Sequence, residues 1–242
     1  IQLTGASIAF AITAATYAAP VIAIYFMRPR DRARTNEPPT SGYINQLVDG
    51  CRYALGRSHL RVAIIFGGIG ALAGRSVLET LPILANGVFG QGPSGLGYMT
   101  AAAGAGAVGA SIFKAVSKPQ KANEFEPHIL AMPVVIPLLV ASFAMIDDFG
   151  TAVGAVALVG ASVTLLAISL QSTVQMAIED RYRGRVMGLW TTISIGSGAI
   201  GAVLMGVLVD MAGPASAQLL TGLTLAAASV LVLSKFRLGE GR

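Results

Sequence analysis

The chain has 242 residues, of which 54% are hydrophobic and only 12% are charged. Soluble domains carry roughly 25% charged residues on average, so this composition excludes most water-soluble folds. The apolar residues fall in blocks of about 20, the length with which a helix crosses a hydrocarbon core of roughly 30 Å. Helices satisfy their own backbone hydrogen bonds in lipid, whereas an open sheet does not. We therefore predict an all-α integral membrane protein.

The net charge of +5 does not indicate a nucleic-acid partner, because the basic residues lie in short loops between apolar blocks and not on one soluble surface. The sequence contains no Gly-Lys-Ser/Thr phosphate-binding loop, which argues against an ATP-driven pump. It also shows no catalytic triad and no cluster of metal ligands. We predict membrane lipid as a partner, and no enzymatic activity, cofactor or metal.

Seven candidate spans follow one another along the chain, joined by a long linker at 28–61 and ending in a short tail at 235–242. The spans cover residues 3–27, 62–86, 94–116, 129–146, 151–176, 186–209 and 215–234.

The basic residues lie almost entirely on one side of this predicted topology. Sixteen of the 17 Lys and Arg residues fall in the linker, the tail and the two loops that share their side. The opposite loops hold no Lys or Arg, and they include Asp147, Asp148 and Asp210. The positive-inside rule makes the basic side cytoplasmic. The N-terminus is therefore expected outside and the C-terminus in the cytoplasm.

The second part of the linker, residues 44–55, has apolar residues at helical spacing among polar ones. This pattern predicts an amphipathic helix on the cytoplasmic membrane surface. A helix that packs between bundles explains the pattern equally well.

The third and sixth spans share a pattern. Residues 98–110, YMTAAAGAGAVGA, align without gaps on residues 190–202, WTTISIGSGAIGA, 92 residues later. Small residues recur in any tightly packed membrane helix, so coincidence is one explanation. An offset that contains three spans, however, reverses the direction of the second copy, as in the three-plus-three inverted repeats of one transporter class. The aligned glycines, which we predict to pack helices closely, are Gly104, Gly106, Gly109, Gly196, Gly198 and Gly201.

Three segments resemble bacterial exporters of the major facilitator superfamily, in the branch of the enterobactin-type siderophore exporters. EDRYRGRVMGLW, residues 179–190, resembles the loop between their tenth and eleventh helices. DGCRYALGRSHLRVAII, residues 49–65, is similar to the entry into their seventh helix, and GLGYMTAAAGAGAVGA, residues 95–110, resembles their eighth. The resemblance covers essentially the whole chain, and the first span corresponds to their sixth helix. It implies the C-terminal half of a transporter in the bacterial inner membrane, with residues 62–234 as its six-helix bundle and an N-terminal half as its partner.

The function that this resemblance implies is secondary active efflux by an antiporter. The substrate would be a small organic molecule, such as a siderophore or a drug, exported against a flow of protons by alternating access. A non-transporting membrane scaffold or a receptor-like seven-helix protein remains open, because fold alone does not decide function.

Arg75 is the single basic residue inside a span, and Glu79 lies four residues later on the same helix face. An arginine at the centre of a membrane helix costs roughly 2.5 to 3.5 kcal/mol, so it is normally turned inward and paired. By resemblance, this helix faces the central cavity. We predict that both residues line the transport path, Glu79 as proton carrier or Arg75 as a site for anionic substrate groups. A structural ion pair is the alternative.

Charged residues of the loop before the sixth span form a second cluster, which resembles a cytoplasmic gate. Their salt bridges would hold two helix ends together and release them during transport. A plain topology anchor explains the charges equally well. Gln171 and Gln175, near the cytoplasmic end of the fifth span, are further candidates for the substrate path. The predicted gate residues are Glu179, Asp180, Arg181, Arg183 and Arg185.

Overall fold

The computed structural model describes residues 5–27, 43–117 and 125–240. The chain divides into two compact units, 1–41 and 42–242. The first unit contains one described helix, α1 (Gly5–Phe26), with Pro20 inside it. Several predicted features lie outside the described residues, namely the first part of the linker, the loop at 118–124 and the last two residues of the tail.

The second unit is a bundle of helices, and no strand occurs in the part of it that the structure describes. α3 continues into a π-helical turn, Leu84–Val88, and α5 into a 3-10 turn, Phe143–Met145. The helices are α2 (Tyr43–Gly56), α3 (Ser58–Ile83), α4 (Gly92–Val116), α5 (Pro127–Ser142), α6 (Phe149–Ala177), α7 (Arg183–Ala212) and α8 (Pro214–Glu240).

Five helical segments of the described chain are long and apolar enough to cross a membrane: Ser58–Val88, Gly92–Val116, Phe149–Ala177, Arg183–Ala212 and Pro214–Phe236. They correspond to five of the seven predicted spans. The other two predicted spans contain shorter apolar stretches, Thr13–Phe26 and Ile129–Met145. Two boundaries also differ, because α3 begins inside the predicted linker and α8 continues into the predicted tail.

Local interactions explain where several helices begin and end. Asp148 caps α6, and its Oδ2 accepts hydrogen bonds from the N–H of Thr151 at 2.8 Å and from its hydroxyl at 3.1 Å. These bonds stabilise the carboxylate and so lower the pKa of Asp148. α7 ends at Gly213, whose φ of 80° lets the chain turn directly into α8. The turn between α3 and α4 uses left-handed φ angles at Gly90 and Gly92.

The most extensive helix pairs of the bundle follow a twofold pattern, which the smaller α7–α8 and α3–α5 contacts do not share. α4 packs most extensively on α6, α3 packs most extensively on α7, and α5 packs on α8. Consider an exchange of α3 with α6, of α4 with α7 and of α5 with α8. This exchange converts the α4–α6 pair into the α7–α3 pair. The same exchange leaves α5–α8 unchanged and relates α5–α6 to α8–α3, which pack to a similar extent. This is the packing expected of a three-plus-three repeat.

Glycines allow close backbone approach where α4 crosses α6. A Cβ added at Gly106 would overlap the carbonyl oxygen of Ala157, and one added at Gly160 would overlap that of Ala103. By contrast, a Cβ added at Gly104 would have no heavy atom within 4 Å. The crossing therefore depends on the absence of side chains at Gly106 and Gly160.

The crossing of α3 and α7 has the same character. A Cβ added at Gly201 would lie 2.8 Å from the carbonyl oxygen of Leu72, and one added at Gly198 would lie 3.7 Å from the Cβ of Arg75. Of the other predicted packing glycines, Gly109 and Gly196 have open space around the Cβ position, as Gly104 has. The structure thus places three of the six aligned glycines at helix crossings.

Substitution Gly106→Ala is expected to destabilise the protein by about 1–3 kcal/mol, because the added methyl group pushes α4 away from α6. Gly104→Ala provides a matched control two residues away. It should leave stability unchanged or raise it slightly, since alanine has the higher helix propensity. Thermal unfolding of the two purified variants in detergent measures the difference, and equal melting temperatures would contradict the proposed role of Gly106.

Candidate functional site

A cavity of about 800 Å³ opens on the face of the bundle formed by α3, α4, α6 and α7. Its walls are mainly small and aliphatic, as the glycine-dependent crossings require. Polar groups enter the cavity from three helices: Arg75 from α3, Thr164 from α6 and Ser194 from α7. Among the described residues that line it, Arg75 is the only ionisable one.

Arg75 forms an ion pair with Glu79 one turn further along α3. The distance from Arg75 Nη2 to Glu79 Oε1 is 2.6 Å, and the two side chains are 54% and 41% exposed. Gly198 of α7 faces the stem of Arg75 and leaves room for it. Arg75 therefore lines the cavity, whereas its partner Glu79 is not among the described residues of the lining.

A neighbouring face of α3 is buried and polar. Ser76 and Thr80 are fully or almost fully buried, and Thr80 Oγ1 accepts a hydrogen bond from Gln218 Nε2 of α8 at 3.1 Å. This bond joins α3 to α8 behind the cavity. α3 thus separates a buried hydroxyl face, which fixes the helix, from an exposed charged face.

The predicted path residues Gln171 and Gln175 lie at exposed positions of α6, beyond the cavity-lining Thr164. Neither lines the cavity, so the structure does not bring these two glutamines together with Arg75.

Glu179, in the loop between α6 and α7, is bound by residues of the linker helix, α2, and of the short connection from α2 to α3. Its carboxylate pairs with Arg57, and its backbone N–H donates to the hydroxyl of Tyr53 at 3.2 Å. Arg57 lies over the Tyr53 ring, 4.4 Å from the centroid, and also donates to the carbonyl of Ala177 at 3.4 Å. Tyr53 stacks on Tyr182 with ring centroids 4.2 Å apart. We call Tyr53, Arg57, Glu179 and Tyr182 the linker clasp.

The other predicted gate residues surround this clasp. Arg183 pairs with Asp180 at 3.1 Å, and the Arg181 guanidinium lies 5.8 Å from the centroid of the Tyr182 ring. Arg185 faces Gly50 of α2, where an added Cβ would lie 2.9 Å from the Cβ of Arg185. These contacts pack α2 directly against the start of α7.

The profile of the transmembrane secretion effector family matches the chain over residues 1–242. The chain belongs to this family of major facilitator transporters. No curated protein and no solved structure matches it significantly. Family membership and the helical architecture together confirm the predicted fold class, an all-α membrane protein of the major facilitator type. They also support a transporter and not an enzyme.

Sequence reasoning missed the clasp residues of this secretion effector that lie outside the predicted gate. From the sequence, Arg57 was only one of the basic linker residues that set the predicted topology, and Tyr53 and Tyr182 had no predicted role. The available signal was an aromatic residue near the end of the amphipathic helix, Tyr53, followed by a basic residue just beyond that helix, Arg57. Their partners lie more than 100 residues away, and no local pattern identifies such contacts.

The clasp combines several modest interactions. The Arg57 and Glu179 side chains are 46% and 59% exposed, and an ion pair so exposed contributes at most about 1 kcal/mol. Stacked aromatic rings add roughly 0.5–1.5 kcal/mol. The contact between the linker helix and the α6–α7 loop therefore rests on interactions that each contribute about 1 kcal/mol.

Cys51, the single cysteine of the chain, lies on α2 and is partly buried, so it reports on the clasp. Arg57→Ala should raise the alkylation rate of Cys51 by N-ethylmaleimide about fivefold, the factor that corresponds to a loss of roughly 1 kcal/mol. Arg52→Ala is the matched control, because Arg52 is an exposed arginine on the same helix without a polar contact in the described chain. Equal rates in the two variants would show that the clasp does not hold α2.

Proposed function

We propose that this secretion effector is the C-terminal half of a proton-coupled exporter of a small organic molecule, such as a siderophore or a drug. It lies in the bacterial inner membrane with its N-terminus outside and its C-terminus in the cytoplasm. The second half of the cavity comes from an N-terminal bundle of the same transporter. Substrate reaches alternate sides of the membrane as the two bundles rock against each other.

The observation that carries this proposal is an arginine in the wall of the cavity, Arg75, and its ion pair with Glu79. Both side chains are about half-exposed, and the cavity of about 800 Å³ is within the range of small-molecule sites. A charged pair at this depth is expensive to keep in a membrane protein without a function. Glu79 serves as the proton carrier, and Arg75 contacts substrate.

The linker clasp gives the cytoplasmic side a second role in this cycle. Glu179 connects the α6–α7 loop to the linker helix, which precedes α3 and so the helix that carries Arg75. Movement of the linker would therefore be transmitted to both α3 and α7, the two helices that meet at Gly198. This connection supports the gate hypothesis for the charges at Glu179–Arg185 and is an alternative to a role in topology alone.

Glu79→Gln in the intact transporter is expected to abolish proton-driven export, because the amide cannot exchange a proton. The measurement is uptake of a radiolabelled catecholate siderophore into everted membrane vesicles with and without a pH gradient. Wild-type vesicles should accumulate the siderophore only with the gradient.

Asp210→Asn is the matched control, since it removes an exposed carboxylate of α7 that forms no ion pair with Arg75. This variant should keep wild-type uptake. Gradient-driven uptake by Glu79→Gln at the wild-type rate would overturn the carrier role of Glu79.

A further inference from the structure

We propose that the cavity selects lipophilic organic anions, and that the anionic group of the ligand replaces Glu79 as the partner of Arg75. This inference rests on the proposed transport function for its biological meaning. The binding event itself is an equilibrium property of the site. It therefore has a test that does not require transport.

The cavity wall defines the body of the ligand. Alanines and glycines make up half of the described lining, and a further third consists of valine, leucine and isoleucine side chains such as Val77, Leu78 and Ile195. Such a wall offers few hydrogen bonds and favours binding through burial of apolar surface. An aromatic or aliphatic ligand body of drug size is the complement of this surface.

The polar groups of the wall define the charge of the ligand. Arg75 is the only ionisable residue among the described lining residues, and no carboxylate lines the cavity beside it. Thr164 and Ser194 also line the cavity, and neither hydroxyl forms a hydrogen bond within the described chain. A ligand cation would find no counter-charge in this wall. A carboxylate, sulfonate or phenolate would find a guanidinium and two free hydroxyls.

The geometry of the ion pair allows one partner to be exchanged for another. Glu79 contacts a single terminal nitrogen of Arg75, Nη2, and the guanidinium has five N–H donors arranged in a planar fork. More than half of the Arg75 side chain is exposed, so an anion has access to the remaining donors. Charge-assisted bonds from a guanidinium to an oxyanion are among the stronger polar contacts in proteins.

The Glu79 carboxylate competes with the ligand for Arg75. In the described chain, no ionisable side chain of α2 or of α4 to α8 forms an ion pair with Arg75 or Glu79, so each has only the other as its partner. Removal of the Glu79 carboxylate should therefore tighten anion binding.

The test compares two dyes that share one ring system and differ in charge. 8-Anilinonaphthalene-1-sulfonate carries a sulfonate, and N-phenyl-1-naphthylamine lacks it. Fluorescence titration of the intact transporter in nanodiscs, corrected with empty nanodiscs, gives both affinities.

Arg75→Gln should weaken binding of the anionic dye about tenfold, the equivalent of one charge-assisted contact, and leave the neutral dye unaffected. Glu79→Gln should tighten the anionic dye about tenfold and leave the neutral dye unaffected, because the competing carboxylate is gone. Asp210→Asn should behave as wild type. If Arg75→Gln does not fold, the two dye titrations of Glu79→Gln still test the inference, because only the anionic dye should tighten.

Two results would overturn the inference: equal effects of Arg75→Gln on both dyes, or an anionic-dye affinity that Glu79→Gln leaves unchanged. The experiments distinguish failure of this inference from failure of the proposed transport function. Gradient-driven siderophore uptake without dye selectivity would leave the exporter standing and remove the anion site. Dye selectivity without gradient-driven uptake would do the reverse.

Discussion

Close backbone approach at two helix crossings is the constraint on which the rest of the bundle depends. In lipid, apolar side chains gain little by meeting one another, so helices associate where small residues let their backbones come together. Gly106 and Gly160 provide this contact between α4 and α6, and Gly201 provides it between α3 and α7. Because these pairs are related by the twofold pattern, the four helices end up around a common open face. The cavity is the space that this arrangement leaves.

The charges of the protein are distributed in relation to that face. Arg75 lines the cavity and pairs with Glu79, both of them about half-exposed, whereas the buried side of α3 carries uncharged Ser76 and Thr80. Burying an ion pair in the bundle would cost more than its attraction returns unless further groups satisfied it. An ionisable pair is therefore placed where it stays solvated, and such a pair is available for chemistry during transport.

Membership of the secretion effector family and the observed packing support the same architecture from independent directions. The family comes from similarity along all 242 residues, whereas the twofold pattern comes from which helices touch. The linker clasp adds a feature that neither the family nor the repeat specifies. It ties the chain segment before α3 to the segment before α7, so the two halves of the repeat are joined on one side by Tyr53, Arg57, Glu179 and Tyr182.

The sequence alone determined the membrane class, the helical fold and the position of most helices, because block length and composition act locally and lipid allows few alternatives. It also identified Arg75 and Glu79, since a charge inside an apolar block is conspicuous. The sequence identified the aligned glycines but did not show which of them lie at helix crossings, because helical spacing does not reveal which face meets a neighbour. Gly106 and Gly104 differ only in what α6 places opposite them. Tertiary structure alone decided the cavity, its polar groups Thr164 and Ser194, and the partner of Glu179. These depend on contacts between residues far apart in the chain, and such contacts are set by how helices cross and not by any local pattern.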